Sequence, residues 1–268
     1  MSEKIVSFFY LKIFFLIVVF LIVGSLIFKI ITEIHGSKFS MNSFSVLMVS
    51  SDSKLVFVDK ADKRVGFFAI GDVRKVVRGK DTFGASLALG VPINAIIVDK
   101  KFPRNIAELT NSETQWRLLF DGEPFFKNMD RYDVYKFINA VKDTIKDNRV
   151  EKRINLFDDS QRKELLKGQF KDSVINNMPY TIEINNGTKI NGLGGDFAYI
   201  LSQEGFNVIA VRSVNESSNS FIAYEGSQDV YIDSLVSLTG FELKKKKVSQ
   251  AADITIFLGD DLEAMLSP

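Results

Sequence analysis

Cysteine is absent from the 268 residues and histidine occurs once, at His35. The first absence excludes disulfides and thiolate zinc sites, and leaves the redox compartment unread. The second makes catalysis or metal binding that needs several imidazoles untenable. Net charge is also scarce, at a formal +1, so no overall field recruits nucleic acid. No helix-turn-helix pattern is evident, and the one basic cluster is four lysines beside a strand, Lys244 to Lys247. What remains is an ordinary globular composition, 46% hydrophobic and 25% charged, at a length that suits one or two domains.

The chain is rich where it begins. Between Lys12 and Lys29 lie sixteen uncharged residues, IFFLIVVFLIVGSLIF. As a helix they cover about 24 Å, against a hydrocarbon core of about 30 Å. Phe8 to Leu11 and Ile30 to Ile31 extend the run, and the flanking lysines can snorkel. A cleaved signal peptide is the rival reading, but the run is long for one and no Ala-x-Ala site follows. The expectation is a retained transmembrane anchor over residues 1–34, amino terminus inside and the bulk of the chain outside.

After this run the pattern predicts strands at Ser45–Val49, Lys54–Val58 and Val65–Ile70, a short helix ending near Gly90, and a strand around Asn94–Val98. Val134, Ile138, Val141 and Ile145 mark a helix face, with Phe137 beside it. A second helix is read from Asp158, with Leu166, Phe170 and Val174 at i, i+4 and i+8. Trp116 reads as a core anchor.

The last ninety residues repeat a theme of helix, Gly-Phe, strand, at Gly205-Phe206 and again at Gly240-Phe241. The order β-α-β-β-α-β suits a ferredoxin-like sandwich, with ELKKKKV as a further edge strand. Between its first strand and helix lies NNGTKINGLGGD, which is neither a dinucleotide fingerprint nor a Walker loop. Asn186-Gly187 suits a tight turn, and Gly194 or Gly195 a close helix–sheet approach. The helix start exposes N–H groups that can accept a carboxylate, phosphate or sugar oxygen. Asn186, Gly187, Thr188, Gly192 and Gly194 are therefore the candidate ligand-binding residues, and a plain structural corner is the alternative. The paired aspartates of FDDS and GDDL make poor metal clamps, since adjacent side chains diverge.

These C-terminal residues resemble the C-terminal domain of LytR–CpsA–Psr proteins. The pattern is an N-G-T turn (Asn186, Gly187, Thr188), Gly192-Leu193 and a helix, Gly205-Phe206 and a strand. It closes on Ala252-Asp253 and a strand ending at Gly259-x-Asp261. The resemblance implies a bacterial cell-envelope protein and carries no established catalytic residues. More faintly, VLMVSSDSK and RVGFFAIGDVR look like a reduced LytR–CpsA–Psr catalytic region, with Asp52 in the place of an aspartate. That fold transfers glycopolymers from a lipid pyrophosphate carrier to peptidoglycan with magnesium. The family's Ser-Ile-Pro-Arg-Asp is missing its proline and arginine here, and a pyrophosphate needs such charges to offset its own.

The whole therefore reads as an α+β chain: an N-terminal transmembrane helix, a small α/β domain with following helices over residues 41–178, and a ferredoxin-like domain over residues 179–268. The expected function is a single-pass, membrane-anchored envelope protein that binds or scaffolds without catalysis, its soluble part outside the cytoplasm. Expected partners are the membrane and peptidoglycan, an anionic wall polymer or another envelope protein; no cofactor, metal or nucleic acid is expected. The alternative is a divergent magnesium-dependent glycopolymer phosphotransferase using Asp52, Asp72, Arg74 and Arg78.

Overall fold

The structure is a computed structural model that describes residues 12–25, 27–28, 42–99, 103–121, 124–144, 149–155, 158, 160, 162, 166–215, 218–246 and 251–266. The chain forms two compact units, Met1–Ser37 and Lys38–Pro268.

In the first unit residues 12–25 are helical, and Phe14, Phe15, Leu16 and Phe20 are exposed. A helix of that length rises about 21 Å, well short of the roughly 30 Å of a hydrocarbon core. Among the described residues no helix is long and apolar enough to cross a membrane. The expected transmembrane helix is thus overturned. It depended on extensions through Phe8 to Leu11 and Ile30 to Ile31, which lie outside the described residues, and the uncharged stretch alone is too short.

The second unit holds β1 (Ser43–Val49), β2 (Ser53–Asp59), β3 (Arg64–Gly71), α1 (Thr82–Leu89), β4 (Ala95–Val98), α2 (Ile106–Leu109), α3 (Ser112–Phe120), β5 (Phe125–Lys127), α4 (Arg131–Thr144), β6 (Arg149–Arg153) and α5 (Ser173–Asn176). It continues with β7 (Ile182–Asn186), α6 (Leu193–Glu204), β8 (Val208–Ser213), β9 (Phe221–Tyr224), α7 (Val230–Thr239), β10 (Glu242–Lys245), β11 (Ile254–Leu258) and α8 (Asp261–Leu266).

The first sheet runs β5-β4-β1-β2-β3-β6, an antiparallel β1-β2-β3 meander with β4 parallel to β1 and β6 parallel to β3. Both of its faces are covered. Val46, Met48, Val56, Val58 and Phe67 pack under Val134, Phe137, Ile138 and Val141 of α4. Leu47, Leu55, Phe57 and Phe68 face Ala85, Leu89, Leu166 and Phe170 on the other side. Double coverage explains why β2 is buried along its whole length and why its sequence does not alternate.

The second sheet runs β10-β9-β11-β7-β8. Here the ferredoxin-like expectation fails. A split β-α-β would put a strand between β7 and β8. Instead the two are parallel neighbours across α6, β9 and β10 are parallel neighbours across α7, and β11 inserts between β7 and β9. Of the lysine-rich segment, Glu242–Lys245 form the edge strand β10.

Two smaller expectations also change. The predicted helix through Leu166, Phe170 and Val174 does not run on: a turn follows Leu166, and Asp172 caps the separate α5 through the N–H groups of Val174 and Ile175. Trp116 is 64% exposed and lies against Phe120, with ring centroids 4.5 Å apart, so it anchors no core.

The two sheets share α1. Asp81 caps it through Gly84 N–H at 2.7 Å, and Gly90 ends it at φ +63°. Ala85 and Leu89 point into the first core, whereas Phe83 joins the second, edge-on to Phe197 and Phe241 at 5.1 Å. Gln203 of α6 donates to Gly90 O, and Asn128 donates to Ser237 O of α7. The two sheets of the second unit therefore pack as one body.

Candidate functional site

The bend between β7 and α6 closes on itself. Asn186 Oδ1 accepts from the N–H and Oγ1 of Thr188, at 3.1 and 2.7 Å, and its Nδ2 donates to Ile190 O. Gly187 N–H donates to Leu258 O at 2.9 Å, and Ile190 N–H donates to Thr188 Oγ1. Gly192 precedes the helix at φ +84°, with no side chain capping it. A Cβ on Gly194 would sit 2.7 Å from Val211 Cγ1, so this glycine sets how closely α6 approaches β8. The five candidate residues are thus brought together as a hydrogen-bonded corner.

The aspartates of the closing pattern are also placed by the fold. Asp253 Oδ2 accepts from the N–H and Oγ1 of Thr181 at 2.8 and 2.6 Å, fastening the start of β11 to the start of β7. Asp261 Oδ1 accepts from the N–H and Oγ of Ser220, while Gly259 N–H donates to that same hydroxyl. Gly259 lies flat on Asn219, where a Cβ would come within 2.5 Å of its backbone.

A cleft opens at the other end of α6. Gly205, at φ +99°, ends that helix, and Phe206 N–H returns to Leu201 O. Facing it is the segment that follows Leu166, which Arg64 pins by donating to the carbonyls of Gly168 and Lys171 at 3.1 and 2.7 Å. Asp172 N–H donates to Glu204 O from the same segment. The resulting space measures about 660 Å³ and is lined by Lys167, Lys171, Asn176, Tyr199, Gln203 and Asn207, among others. Two ammonium groups and three amides face it, and among the described residues no carboxylate does. Its electrostatics favour an anion, and its amides suit hydroxyl groups.

Behind this cleft lies the buried carboxyl of Glu204. Burial pushes its pKa up to about 8, the neighbouring Asp172 carboxylate pushes the same way, and a hydrogen bond with the Asn94 side chain opposes them. Near neutral pH the group is protonated and cancels none of the lysine charge. Asp172 is occupied, accepting from the N–H groups of Ser43, Val174 and Ile175. The sequence hides this cleft, because the apolar spacing predicts a helix where Lys167 lies in a turn and Lys171 in the irregular stretch after it.

The candidate transferase residues lie in the N-terminal half. A second space, about 490 Å³, opens at the ends of β1 and β4, lined by Ser50, Ser51, Arg74, Val98, Asp99 and Phe125 among others. Arg74 Nη2 pairs with Asp72 at 2.6 Å, and its hydrogen bonds hold the Asp72 pKa down at about 2. Asp52 pairs with Lys54 and stands 3.8 Å from Arg153, Asp99 pairs with Arg117, and Arg78 is exposed. Arg74 is the one guanidinium among the described lining residues. No cluster of three metal-ligating side chains occurs among the described residues.

Residues 179–262 match the model of the C-terminal LytR domain, a family described as LytR cell envelope-related transcriptional attenuator. The match spans less than half of the chain and does not reach the N-terminal half. No curated protein matches. A Listeria innocua protein of known structure is 14% identical, with a TM-score of 0.31 over 43% of this chain and 83% of its own. A Listeria monocytogenes protein, named for a supposed role as a transcriptional factor, is 12% identical, with a TM-score of 0.21 over 68% and 85%.

Proposed function

From the family match over residues 179–262 and the cleft at its edge, we propose that this is a cell-envelope protein that binds an anionic wall glycopolymer without transforming it. The observation that carries the reading is the pair Lys167 and Lys171 facing Tyr199 and the amides of Asn176, Gln203 and Asn207. An ammonium meets a phosphate or carboxylate as a point charge, while amides and a tyrosine offer contacts to the hydroxyls and ring faces of sugars. The corner at Asn186, Gly187, Thr188, Gly192 and Gly194 serves as scaffold in this account. The pinned lysine segment precedes the matched residues 179–262 and forms one wall of the cleft. Exposed apolar side chains over residues 12–25 support contact with the lipid surface, the rest of the chain lying on its outer side.

Sedimentation of the full chain with purified cell wall tests this. Binding should be salt-sensitive and should fall when the wall is stripped of its anionic polymer. Equal binding to stripped and intact wall would contradict the proposal.

The transferase reading is favoured by one observation, the space at the ends of β1 and β4 that holds Arg74. A single guanidinium already committed to Asp72 is a weak match to a pyrophosphate. Turnover of a lipid-linked pyrophosphate glycan with magnesium, lost in Asp52→Ala, would establish it.

A further inference from the structure

The two sheets end in the edge strands β5 and β6 of the first and β8 and β10 of the second. An edge leaves a row of main-chain donors and acceptors unpaired, and folds blunt it with charge or brevity. Three of these edges are blunted. β5 has three residues, β6 carries Arg149, Glu151, Lys152 and Arg153, and β10 carries Lys244 and Lys245. β8 is different: its six residues, VIAVRS, hold a single charge, and Ile209 and Val211 are 47% and 44% exposed. We propose that β8 is a dimerisation edge, pairing antiparallel with β8 of a second copy about a two-fold axis at Val211.

The backbone is set for such a pairing. Val214 N–H donates to Asn186 O, so Arg212, in step with it, also turns to β7. Val211 and Ser213 therefore turn their main-chain groups outward, where no strand meets them among the described residues. The register with β7 shifts once, between Ile182 and Glu183, and is regular from Ala210 to Ser213. With the axis at Val211, that residue exchanges both of its main-chain hydrogen bonds with its own copy, the mode of strand addition.

Charge selects a second copy as the occupant and fixes the register. Glu183 of β7 pairs with Ala210, and its side chain is 6% exposed. Arg212 Nε stands 3.6 Å from Glu183 Oε1, longer than a hydrogen bond. The axis at Val211 sets the second copy's Arg212 opposite Ala210, in one row with Glu183 and about 10 Å from it across two strand spacings. Ala210 is small, so an extended guanidinium side chain reaches over it toward that carboxylate. An axis at Arg212 would instead oppose two guanidiniums, which is destabilising. The favoured axis also sets Val211 against its own copy, taking exposed apolar surface out of water. Such a contact is self-complementary and joins the two five-stranded sheets into one. None of these residues lines the Lys167–Lys171 cleft, so the two readings fail separately.

Sedimentation equilibrium of the full chain, with residues 12–25 solvated by a mild non-ionic detergent, tests the proposal. The parent should sediment as two chains, and Val211→Lys, which sets like charges face to face, should weaken association roughly tenfold or more. The chain has no cysteine, so one introduced thiol reports the register. Directly opposed residues in such a pair have Cα atoms about 5.5 Å apart, within the span of a disulfide. Val211→Cys should therefore oxidise to a cross-linked dimer, whereas Lys245→Cys, exposed on the opposite edge, should not. The cysteine variant keeps the test valid if Val211→Lys fails to fold. A parent that sediments as one chain, association unchanged in Val211→Lys, or cross-linking no faster in Val211→Cys than in Lys245→Cys overturns the proposal.

Discussion

Glu204 is the residue whose chemistry departs furthest from its sequence. A carboxyl with its pKa pushed up to about 8 keeps its proton in the folded protein where the unfolded chain, with an ordinary carboxylate pKa, has lost it. The folded state binds more protons across that window. Raising pH from the ordinary carboxylate pKa toward about 8 therefore removes stability, by about 1.4 kcal/mol per pH unit for one fully buried group. Glu204→Gln should flatten that slope and be more stable than the parent at pH 8, with little difference at pH 5; urea midpoints at the two pH values measure it. A single glutamate at the end of an amphipathic helix gives no sign of this in sequence, because burial in the folded unit and the charge of Asp172, distant in the chain, raise the pKa together. Gly205 and Phe206, by contrast, were readable, since a left-handed residue followed by an aromatic at a helix end follows from local sterics.

Elements were legible in proportion to their apolar pattern. The strands β1, β2, β3 and β7 and the helices α1, α4, α6 and α7 all lie where period or punctuation placed them. The charged strand Arg149–Arg153 has no such pattern; it forms because β3 presents an edge to it. In the same way the β-α-β-β-α-β order was correct but its neighbours were not, since sequence order does not say which strand β11 slips between. Caps are elements of sequence logic that can be tested directly. Asp229 Oδ1 accepts from the N–H groups of Tyr231 and Ile232 at the start of α7, and its Oδ2 accepts from the hydroxyl of Tyr180 at 2.7 Å. Asp229→Ala should cost about 1–2 kcal/mol by thermal or urea denaturation, and Asp229→Asn distinctly less. Equal losses would mean that charge, not capping geometry, matters there.

At the scale of the whole molecule, the unexpected feature is that α1 belongs to two cores. Phe83 is fully buried against Phe197 and Phe241, although its own helix covers the first sheet. Phe83→Ala should cost about 3–5 kcal/mol and lower the stability of both halves in one transition, read as coincident shifts in near-ultraviolet dichroism and in protection of amides on either sheet. Two separated transitions would show that the halves fold independently. The same coupling builds the cleft, because one wall comes from the segment pinned by Arg64 and the other from α6.

The most direct measurement is the affinity of the full chain for a purified, soluble anionic wall glycopolymer, compared with that of Lys167→Gln/Lys171→Gln at two salt concentrations. The account predicts that the double variant binds at least tenfold more weakly at low salt, with a shallower dependence on salt and an unchanged melting temperature. Undiminished binding by the double variant, with its salt dependence intact, would contradict it.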